Sequence, residues 1–245
     1  MWFSVIIPAY NEEARLPQTL KKIDEYLREQ NYSYEILVVD DGSKDKTKEV
    51  AESLRGKIRN LKVMGYKENK GKGYAVRKGI LRARGEYRLF TDADNSISIE
   101  QIERFWPEFK KGFDMVTGLR VVRGAVLGSP QSLFRKAILA RGFNLLRKII
   151  LNLREIKDTQ CGFKCFKKEV AERIFPECKI NGFAFDIEIL ILAKQTGFNI
   201  KELPVCWKNW PESKVRFGAM MEMSLDLLKM KKMLKQKNRQ GVSKK

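Results

Sequence analysis

Residues 35–43, EILVVDDGS, join a short apolar run to two carboxylates, a glycine and a serine. An apolar run of this length, rich in Val and Ile and stopped by turn residues, predicts a buried strand of a parallel sheet. Two other stretches have the same design, residues 3–12 (FSVIIPAYNE) and residues 86–94 (EYRLFTDAD). In each of the three, a strand ends in a polar cluster, and apolar residues at helical spacing resume farther along the chain.

Strands and helices alternate along the first half of the chain. We predict strands at 3–9, 35–40, 61–66, 86–91 and 114–119, and helices at 12–29, 46–54, 71–84 and 99–109. This alternation predicts an α/β fold with a central, mostly parallel sheet flanked by helices and joined by right-handed crossovers. Because such sheets bind ligands at the carboxyl ends of their strands, the polar clusters at 10–12, 40–43 and 92–94 are expected to form one site.

The second half has a looser pattern. It predicts helices at 132–154, 184–194 and 220–235 and strands at 162–166 and 200–207. We expect residues 1–218 to form one domain, and residues 219–245 to form an amphipathic helix with a basic tail. No apolar run reaches the length of about 18 residues that spans a bilayer, and the first ten residues suggest a strand, not a signal peptide.

The composition narrows the possible chemistry. The 245 residues are 43% hydrophobic and 32% charged, which argues against disorder. The absence of histidine excludes Ser-His-Asp and Cys-His triads and His-liganded zinc. The four cysteines form no Cys-x-x-Cys pair, and we expect them to be core thiols. The chemistry must therefore come from carboxylates, lysine, arginine or a hard metal ion.

The net charge of +19 is unevenly distributed. Residues 55–88 carry 12 basic and 2 acidic groups, residues 132–154 carry 6 and 0, and residues 219–245 carry 8 and 2. Such blocks favour phosphate-rich ligands, anionic membranes or nucleic acid, and a solvated Lys-rich surface is the alternative. None of the usual nucleic-acid-binding modules is present, so we expect no nucleic-acid partner.

Two of the polar clusters consist of carboxylates. Asp92-x-Asp94 ends a strand, where two carboxylates can share one hard divalent cation with a diphosphate; a helix cap with a turn aspartate is the alternative. The cluster at 40–43, Asp-Asp-Gly-Ser, can accept hydrogen bonds from a base N–H or from ribose hydroxyls, unless it is an ordinary turn. A third cluster, Asn-Lys-Gly-Lys-Gly at 69–73, precedes a helix and favours a phosphate through its lysines and the helix N-terminus. It matches neither a Walker A loop nor the Rossmann fingerprint.

The strings VIIPAYNEE, VVDDGSKDKT, NKGKGYAVRKG and FTDADNSIS, in this order, resemble the family 2 glycosyltransferases of GT-A fold. Farther along, DTQCGFKCF, GFAFDIEIL and ELPVCWKNWPESKVR resemble the dolichyl-phosphate glucose and mannose synthase branch, with the glucose type the closer match. The resemblance covers residues 3–216. It implies an inverting, metal-dependent transfer of a hexose, glucose being favoured, from a nucleotide-diphosphate sugar to a polyprenyl phosphate. UDP-glucose is the favoured donor. GDP-mannose as donor and a non-polyprenyl acceptor are the alternatives.

The resemblance also implies which side chains bind the nucleoside. Pro8, Tyr10 and Glu12 would line its pocket. Either Asp40 or Asp41 would hold the base or the ribose, and the residues alone do not choose between them.

The diphosphate and the metal are assigned in the same way. Lys72 would lie near the ribose or the diphosphate, and Asp92 and Ala93 would contact the nucleotide sugar. Asp92 and Asp94 would hold Mg²⁺ or Mn²⁺, with Asp94 favoured as the direct ligand. Mannose synthases usually have Gln two residues after the second Asp; here Ser96 stands there, so no second side-chain ligand is assumed.

Three further residues are assigned to the acceptor. Arg120 and Lys214 resemble positions that grip its phosphate. Asp186 occupies the place of a base or an acceptor-orienting carboxylate, and capping of the 184–194 helix is the alternative. A lipid phosphate is already anionic at neutral pH, so positioning it can suffice without a base. Asp158 and Gln160 belong to the shared string without an assigned role.

A lipid acceptor implies contact with a membrane. The 132–154 helix has an apolar face, six basic residues and no acid, which favours an interfacial position on anionic lipid; a helix that covers the core is the alternative. We therefore expect a peripheral protein on the cytosolic membrane face.

Overall fold

In this computed structural model the described residues are 1–122 and 156–208, together with Asp226, Lys229 and Met230. Seven strands form one sheet: β1 (Phe3–Ala9), β2 (Tyr34–Asp40), β3 (Leu61–Gly65), β4 (Tyr87–Thr91), β5 (Met115–Val122), β6 (Phe163–Lys167) and β7 (Ile200–Trp207). The helices are α1 (Leu16–Arg28), α2 (Thr47–Ser53), α3 (Lys72–Arg82), α4 (Trp106–Lys110), α5 (Lys168–Ile174) and α6 (Phe185–Gln195), with 3-10 turns at Ile99–Arg104 and Phe175–Glu177.

The strand order is β3-β2-β1-β4-β6-β5-β7. Strand β6 runs antiparallel to both of its neighbours, and the other neighbouring pairs are parallel. The mostly parallel sheet flanked by helices is therefore confirmed, whereas the direction of β6 was not predicted. The β1–β2 register pairs Ala9 with Asp40, so the polar segments that follow these two strands start side by side.

Two hydrophobic layers cover the sheet. On β1, Phe3, Val5 and Ile7 belong to one layer, and Ile6 belongs to the other. All seven residues of β1 and all seven of β2 are buried. Burial on both faces explains why these strands have mainly apolar sequences without a strict polar-apolar alternation.

The helix boundaries follow local rules with two departures. Helix α1 has a proline in its first turn, where a missing N–H costs nothing, and it buries its predicted apolar side. The predicted helix at 99–109 is instead a 3-10 turn followed by the short α4, which has Pro107 in its first turn. Helix α5 was not predicted, because it follows β6 directly without turn residues between them.

Several predictions fall outside the described residues. These are the 132–154 helix, Lys214 and most of the 220–235 helix. Of the last, Met230 is buried in the same hydrophobic layer as Ile6. In the described ranges no helix is long and apolar enough to cross a membrane.

The cysteines only partly match the expectation of core thiols. Cys161, Cys165 and Cys178 are buried free thiols. Cys206 is exposed, because it lies on β7 at the edge of the sheet. The prediction was wrong for that residue.

Candidate active site

The loops that follow β1 and β2 are bonded to each other. The backbone N–H of Asn11 donates to Ser43 Oγ at 3.0 Å, and the Lys44 N–H donates back to Asn11 Oδ1 at 2.9 Å. The Glu12 N–H donates to Thr47 Oγ1 at 2.7 Å. These bonds hold the two polar clusters together at one edge of the sheet.

The three side chains expected to line a nucleoside pocket lie at this edge. Pro8 is buried within β1, and Tyr10, just beyond the strand, is half-buried. The Glu12 carboxylate accepts two hydrogen bonds from the Arg15 guanidinium, at 2.7 and 2.6 Å. Glu12 therefore forms a bidentate ion pair with Arg15, the residue that precedes α1.

Both carboxylate oxygens of Asp41 accept hydrogen bonds from other residues of the protein. Its Oδ1 accepts from the Tyr66 hydroxyl at 2.6 Å and from the Lys70 N–H at 2.8 Å. Its Oδ2 accepts from Asn69 Nδ2 and from the Gly71 N–H, both at 3.0 Å. Four donors match the acceptor capacity of one carboxylate. Asp41 thus fixes the loop at 69–71.

Asp40 is buried like its neighbour but holds weaker bonds. The contacts described for its carboxylate are to the Ser43 N–H, at 3.4 Å to each oxygen. Between them, Gly42 has a φ of 66°, and a Cβ there would lie 2.5 Å from the carbonyl carbon of Glu68. Of the two aspartates, Asp40 therefore keeps acceptor capacity for a ligand.

Four backbone N–H groups around the start of α3 point at the protein and not into the site. The N–H groups of Gly73 and Tyr74 donate to the Asn181 carbonyl at 2.7 and 3.3 Å. A Cβ on Gly71 would lie 2.4 Å from that same oxygen. Together with the two N–H groups bound by Asp41, four backbone donors of this loop have protein acceptors. These four N–H groups are therefore not available to the expected phosphate, whereas the Lys72 side chain remains for that role.

The Lys72 side chain extends from the start of α3 to Asp92, the residue that follows β4. Its Nζ lies 2.6 Å from Asp92 Oδ1, and the two side chains are 23% and 35% exposed. Burial alone would lower the pKa of Lys72, but the charges of Asp92 and Asp186 outweigh it and raise the pKa. Asp92 also rests on Gly162, where a Cβ would lie 2.0 Å from Asp92 Oδ2. Only glycine fits at position 162 with Asp92 in this place.

Asp94 stands two residues farther along. Its Oδ1 accepts from the Ser96 N–H at 2.9 Å, and between them Asn95 has a φ of 52°. The intervening Ala93 is buried, and its carbonyl accepts from the Thr19 hydroxyl at 2.7 Å. The backbone of the Asp-x-Asp segment is thus tied to α1.

The donor set of this segment fits a hard divalent cation. The bonds described for Asp92 and Asp94 use Oδ1 of each, which leaves Oδ2 of each for a cation. In the described part of the chain, no group of three or more His, Cys, Asp or Glu residues could hold a metal. A magnesium-type site needs only one or two carboxylates when a phosphate ligand supplies other oxygens.

Asp186 is not a helix cap. It lies in the first turn of α6, whose N-cap residue is Ala184, without a side-chain capping bond. Its Oδ1 instead accepts from Lys164 Nζ at 2.6 Å, and the side chains are 0% exposed for Lys164 and 4% for Asp186. Burial raises the pKa of the Asp186 carboxyl, although the charges of Lys164 and Lys72 oppose that shift. The capping alternative is therefore wrong.

Lys164 was missed in the sequence. Its signal was a lysine inside the buried strand Phe-Lys-Cys-Phe-Lys, since a lysine is almost never fully buried unless it is paired. The strand alone could not name the carboxylate that pairs with it.

Arg120, near the end of β5, is held in place by the Asp158 carboxylate. Its Nε and Nη2 donate to Asp158 at 2.6 and 2.8 Å, and its guanidinium lies 5.7 Å from the centre of the Trp207 ring. The Asp158 N–H donates to Glu202 at 2.7 Å. Burial alone would raise the pKa of Asp158, but the Arg120 guanidinium outweighs it and lowers the pKa. Asp158 thus has the partner that the sequence left unassigned.

A comparison with protein families shows which class of protein this chain belongs to. The fold is the GT-A fold of glycosyltransferases that use nucleotide sugars. The family model described as Glycosyl transferase family 2 matches residues 4–175, and the chain belongs to that family. The expected family and fold are confirmed.

Two curated relatives indicate the branch of the family to which this chain is similar. The chain is 37% identical over 244 residues to a dolichyl-phosphate beta-glucosyltransferase of Dictyostelium discoideum, covering 94% of this chain and 74% of that protein. It is 36% identical over 242 residues to the dolichyl-phosphate beta-glucosyltransferase of Homo sapiens, covering 92% and 73%. These are the glucose-type relatives that the sequence resemblance indicated.

Solved structures share the fold. Glucosyl-3-phosphoglycerate synthase from Mycobacterium tuberculosis, in complex with Mn²⁺, UDP and glucosyl-3-phosphoglycerate, matches with a TM-score of 0.67 and 19% identity over 94% of this chain and 79% of that one. TarS 1-349 of S. aureus matches with a TM-score of 0.56 and 25% identity; the match covers 83% of this chain and 58% of that one.

Proposed function

We propose that this protein transfers glucose, with inversion, from UDP-glucose to dolichyl phosphate or a similar polyprenyl phosphate. The observation that carries the proposal is the state of Asp186, which is buried and bound to Lys164. A hydroxyl acceptor needs a base within hydrogen-bond reach of its proton, whereas the Asp186 carboxylate is 4% exposed and its Oδ1 is already bonded to Lys164. A phosphate acceptor is already anionic and needs only to be held.

The cations of the site fit two anionic reactants. Lys72, charged and partly exposed, would bind the donor diphosphate, and Arg120 would bind the acceptor phosphate. Arg120 is presented by Asp158 in a bidentate geometry that a phosphate can also use. We assign Lys214 to the same phosphate on its sequence position alone.

The proposed reaction needs no proton transfer. An acceptor phosphate oxygen attacks the anomeric carbon in line, its bond to that carbon forms, and the bond from the carbon to the diphosphate breaks. The bonding electron pair leaves with the diphosphate, whose new charge Lys72 would stabilise.

We further propose that Asp92 and Asp94 hold Mg²⁺ or Mn²⁺. When bound, such an ion supplies Lewis-acid stabilisation of charge on the departing diphosphate. Asp94 is the favoured direct ligand, because Asp92 is already bound by Lys72.

For the nucleoside we propose Asp40 as the hydrogen-bond acceptor for the base or ribose, with Pro8 and Tyr10 beside it. Asp41 supports the site by fixing the 69–71 loop. The relatives named beta-glucosyltransferases favour glucose as the sugar.

The proposed acceptor requires a membrane surface. We propose peripheral attachment on the cytosolic face through the basic segments 132–154 and 219–245, on the strength of their charge and the apolar side of each.

Transfer of radiolabelled sugar tests the proposal. UDP-glucose and GDP-mannose are supplied separately with detergent-solubilised dolichyl phosphate and Mg²⁺ or Mn²⁺, and label is counted in the organic extract. We expect lipid-linked label from UDP-glucose only, and about 10²- to 10³-fold slower labelling with Asp94→Ala. Label from GDP-mannose alone would overturn the sugar assignment, and slow donor hydrolysis without a lipid product would overturn the acceptor assignment.

A further inference from the structure

Lys164 is a fully buried lysine in the middle of the sheet. On β6 it stands opposite Phe90 of β4, and its Nζ lies 5.4 Å from the centre of that ring. The ammonium donates to the Cys161 carbonyl at 2.5 Å and to Asp186 at 2.6 Å. A buried charge is costly unless it is paired, so the fold maintains this ion pair against a desolvation penalty.

The pair lies next to the proposed diphosphate site. Phe185, the residue before Asp186, packs on the start of α3: a Cβ on Gly73 would lie 2.5 Å from Phe185 Cβ. Lys72 directly precedes Gly73. The first turn of α6 therefore packs directly beside the turn of α3 that carries Lys72.

The segment that carries Lys164 also supports Asp92. Gly162, two residues before Lys164, is the residue on which the Asp92 carboxylate rests. Residues 161–164 therefore contact two of the carboxylates whose charges act on Lys72, Asp92 through Gly162 and Asp186 through Lys164.

We propose that Lys164 is a positioning residue for transfer: it holds Asp186 in place and charged beside Lys72, and so aims the Lys72 ammonium at the donor diphosphate. The proposal rests on the proposed function. Burial pushes the pKa of Asp186 upward and Lys164 opposes that shift, so loss of Lys164 leaves Asp186 easier to protonate. Lys72 would then keep the charges of Asp92 and Asp94 but lose that of Asp186.

The test separates positioning from stability. Lys164→Met alone leaves a buried carboxylate unpaired, and we expect it to lower both the melting temperature and kcat. The double variant Lys164→Met/Asp186→Leu replaces the pair by apolar side chains, which is often neutral or favourable for stability. We expect its melting temperature to approach that of the wild type, while kcat stays about 10- to 100-fold low, as for a misplaced catalytic group.

Binding measurements locate the defect. By calorimetry, the double variant should bind UDP about tenfold more weakly than the wild type and uridine equally well, because only the diphosphate meets Lys72. Adding Lys72→Met to the double variant should leave UDP affinity unchanged, whereas the same substitution in the wild type should lower it. Lys164→Arg, which keeps the charge, should retain most of the UDP affinity.

A stable double variant with wild-type kcat and UDP affinity would overturn the proposal, as would an equal loss for uridine. If the double variant does not unfold cooperatively, Asp186→Asn decides instead: lower UDP affinity with unchanged uridine affinity supports positioning, and unchanged UDP affinity refutes it. Should the wild type bind UDP but transfer no glucose, the proposed function fails, while the comparison of UDP with uridine still tests the role of Lys164.

Discussion

The two ends of the sheet hold carboxylates at similar distances from cations but in different surroundings. At the amino end, Glu35 is fully buried and accepts from Ser4 Oγ at 2.7 Å, from Lys62 Nζ at 2.7 Å and from the Arg84 N–H at 2.6 Å. Burial alone would raise the pKa of Glu35, but these bonds, that of Lys62 first, outweigh it and lower the pKa. This carboxylate has no open side for a ligand.

At the carboxyl end the ion pairs are partly open. Asp92 is 35% exposed and Lys72 23%, and Arg120 is 35% exposed with its partner 14%. The ion-pair distance, 2.7 Å for Lys62 and Glu35 against 2.6 Å for both pairs at the carboxyl end, therefore does not distinguish a structural pair from a functional one. What distinguishes them is whether an anionic ligand can reach the cation. At a partly exposed pair, a phosphate can bind the cation that the carboxylate has already oriented. The predictions below test that distinction.

Asp94→Ala should have the largest effect at the carboxyl end. We expect transfer to fall about 10²- to 10³-fold, the cost typical of losing one electrostatic contact to developing charge. Because Asp94 makes only one described side-chain bond, the melting temperature should hardly change. Kinetics and thermal unfolding of the same preparation check both statements, and a loss of activity that merely follows unfolding would contradict them.

Glu35→Gln should have the opposite signature, with stability lowered by about 2 to 3 kcal/mol and kcat retained in the folded fraction. Since the folded-state pKa lies below the usual value of 4.5, the stabilisation is complete above that value and is lost as pH falls through the folded pKa. Urea unfolding at neutral and acidic pH should show the two proteins converging at low pH. A gap that widens in acid would refute this account.

Substitutions of Asp40 and of Asp41 should affect different properties, donor binding for Asp40 and stability for Asp41. Asp41→Asn breaks an arrangement of four donors and should cost about 1 to 3 kcal/mol, with faster proteolysis at the 69–71 loop. Asp40→Asn should leave stability within about 0.5 kcal/mol and raise the donor KM several-fold. Unfolding curves and donor titrations of both variants provide the comparison, and an interchange of the two signatures would reassign the nucleoside contact to Asp41.

Lys21→Ala should have the smallest effect. Its ion pair with Glu25 spans 3.8 Å, with side chains 73% and 61% exposed. Exposed pairs contribute little, so we expect a change below about 0.5 kcal/mol and unchanged transfer. This variant is the matched control for the other charge removals.

Much of the fold could be predicted from the sequence, because β1, β2 and β4 are mainly apolar runs followed by polar clusters, and those clusters must meet at one edge of a parallel sheet. The antiparallel β6 could not, since strand direction depends on where the chain re-enters the sheet. The choice between Asp40 and Asp41 was also out of reach. It is made by Tyr66 and Asn69, which lie 25 and 28 residues away from Asp41.

We propose that the site holds an anionic acceptor and needs no base. The most direct measurement compares glucose transfer from UDP-glucose to dolichyl phosphate and to dolichol, its hydroxyl counterpart, under the same detergent and metal conditions. We expect an organic-extractable product with dolichyl phosphate and none with dolichol. Comparable transfer to dolichol, abolished by Asp186→Asn, would contradict it and make Asp186 a general base.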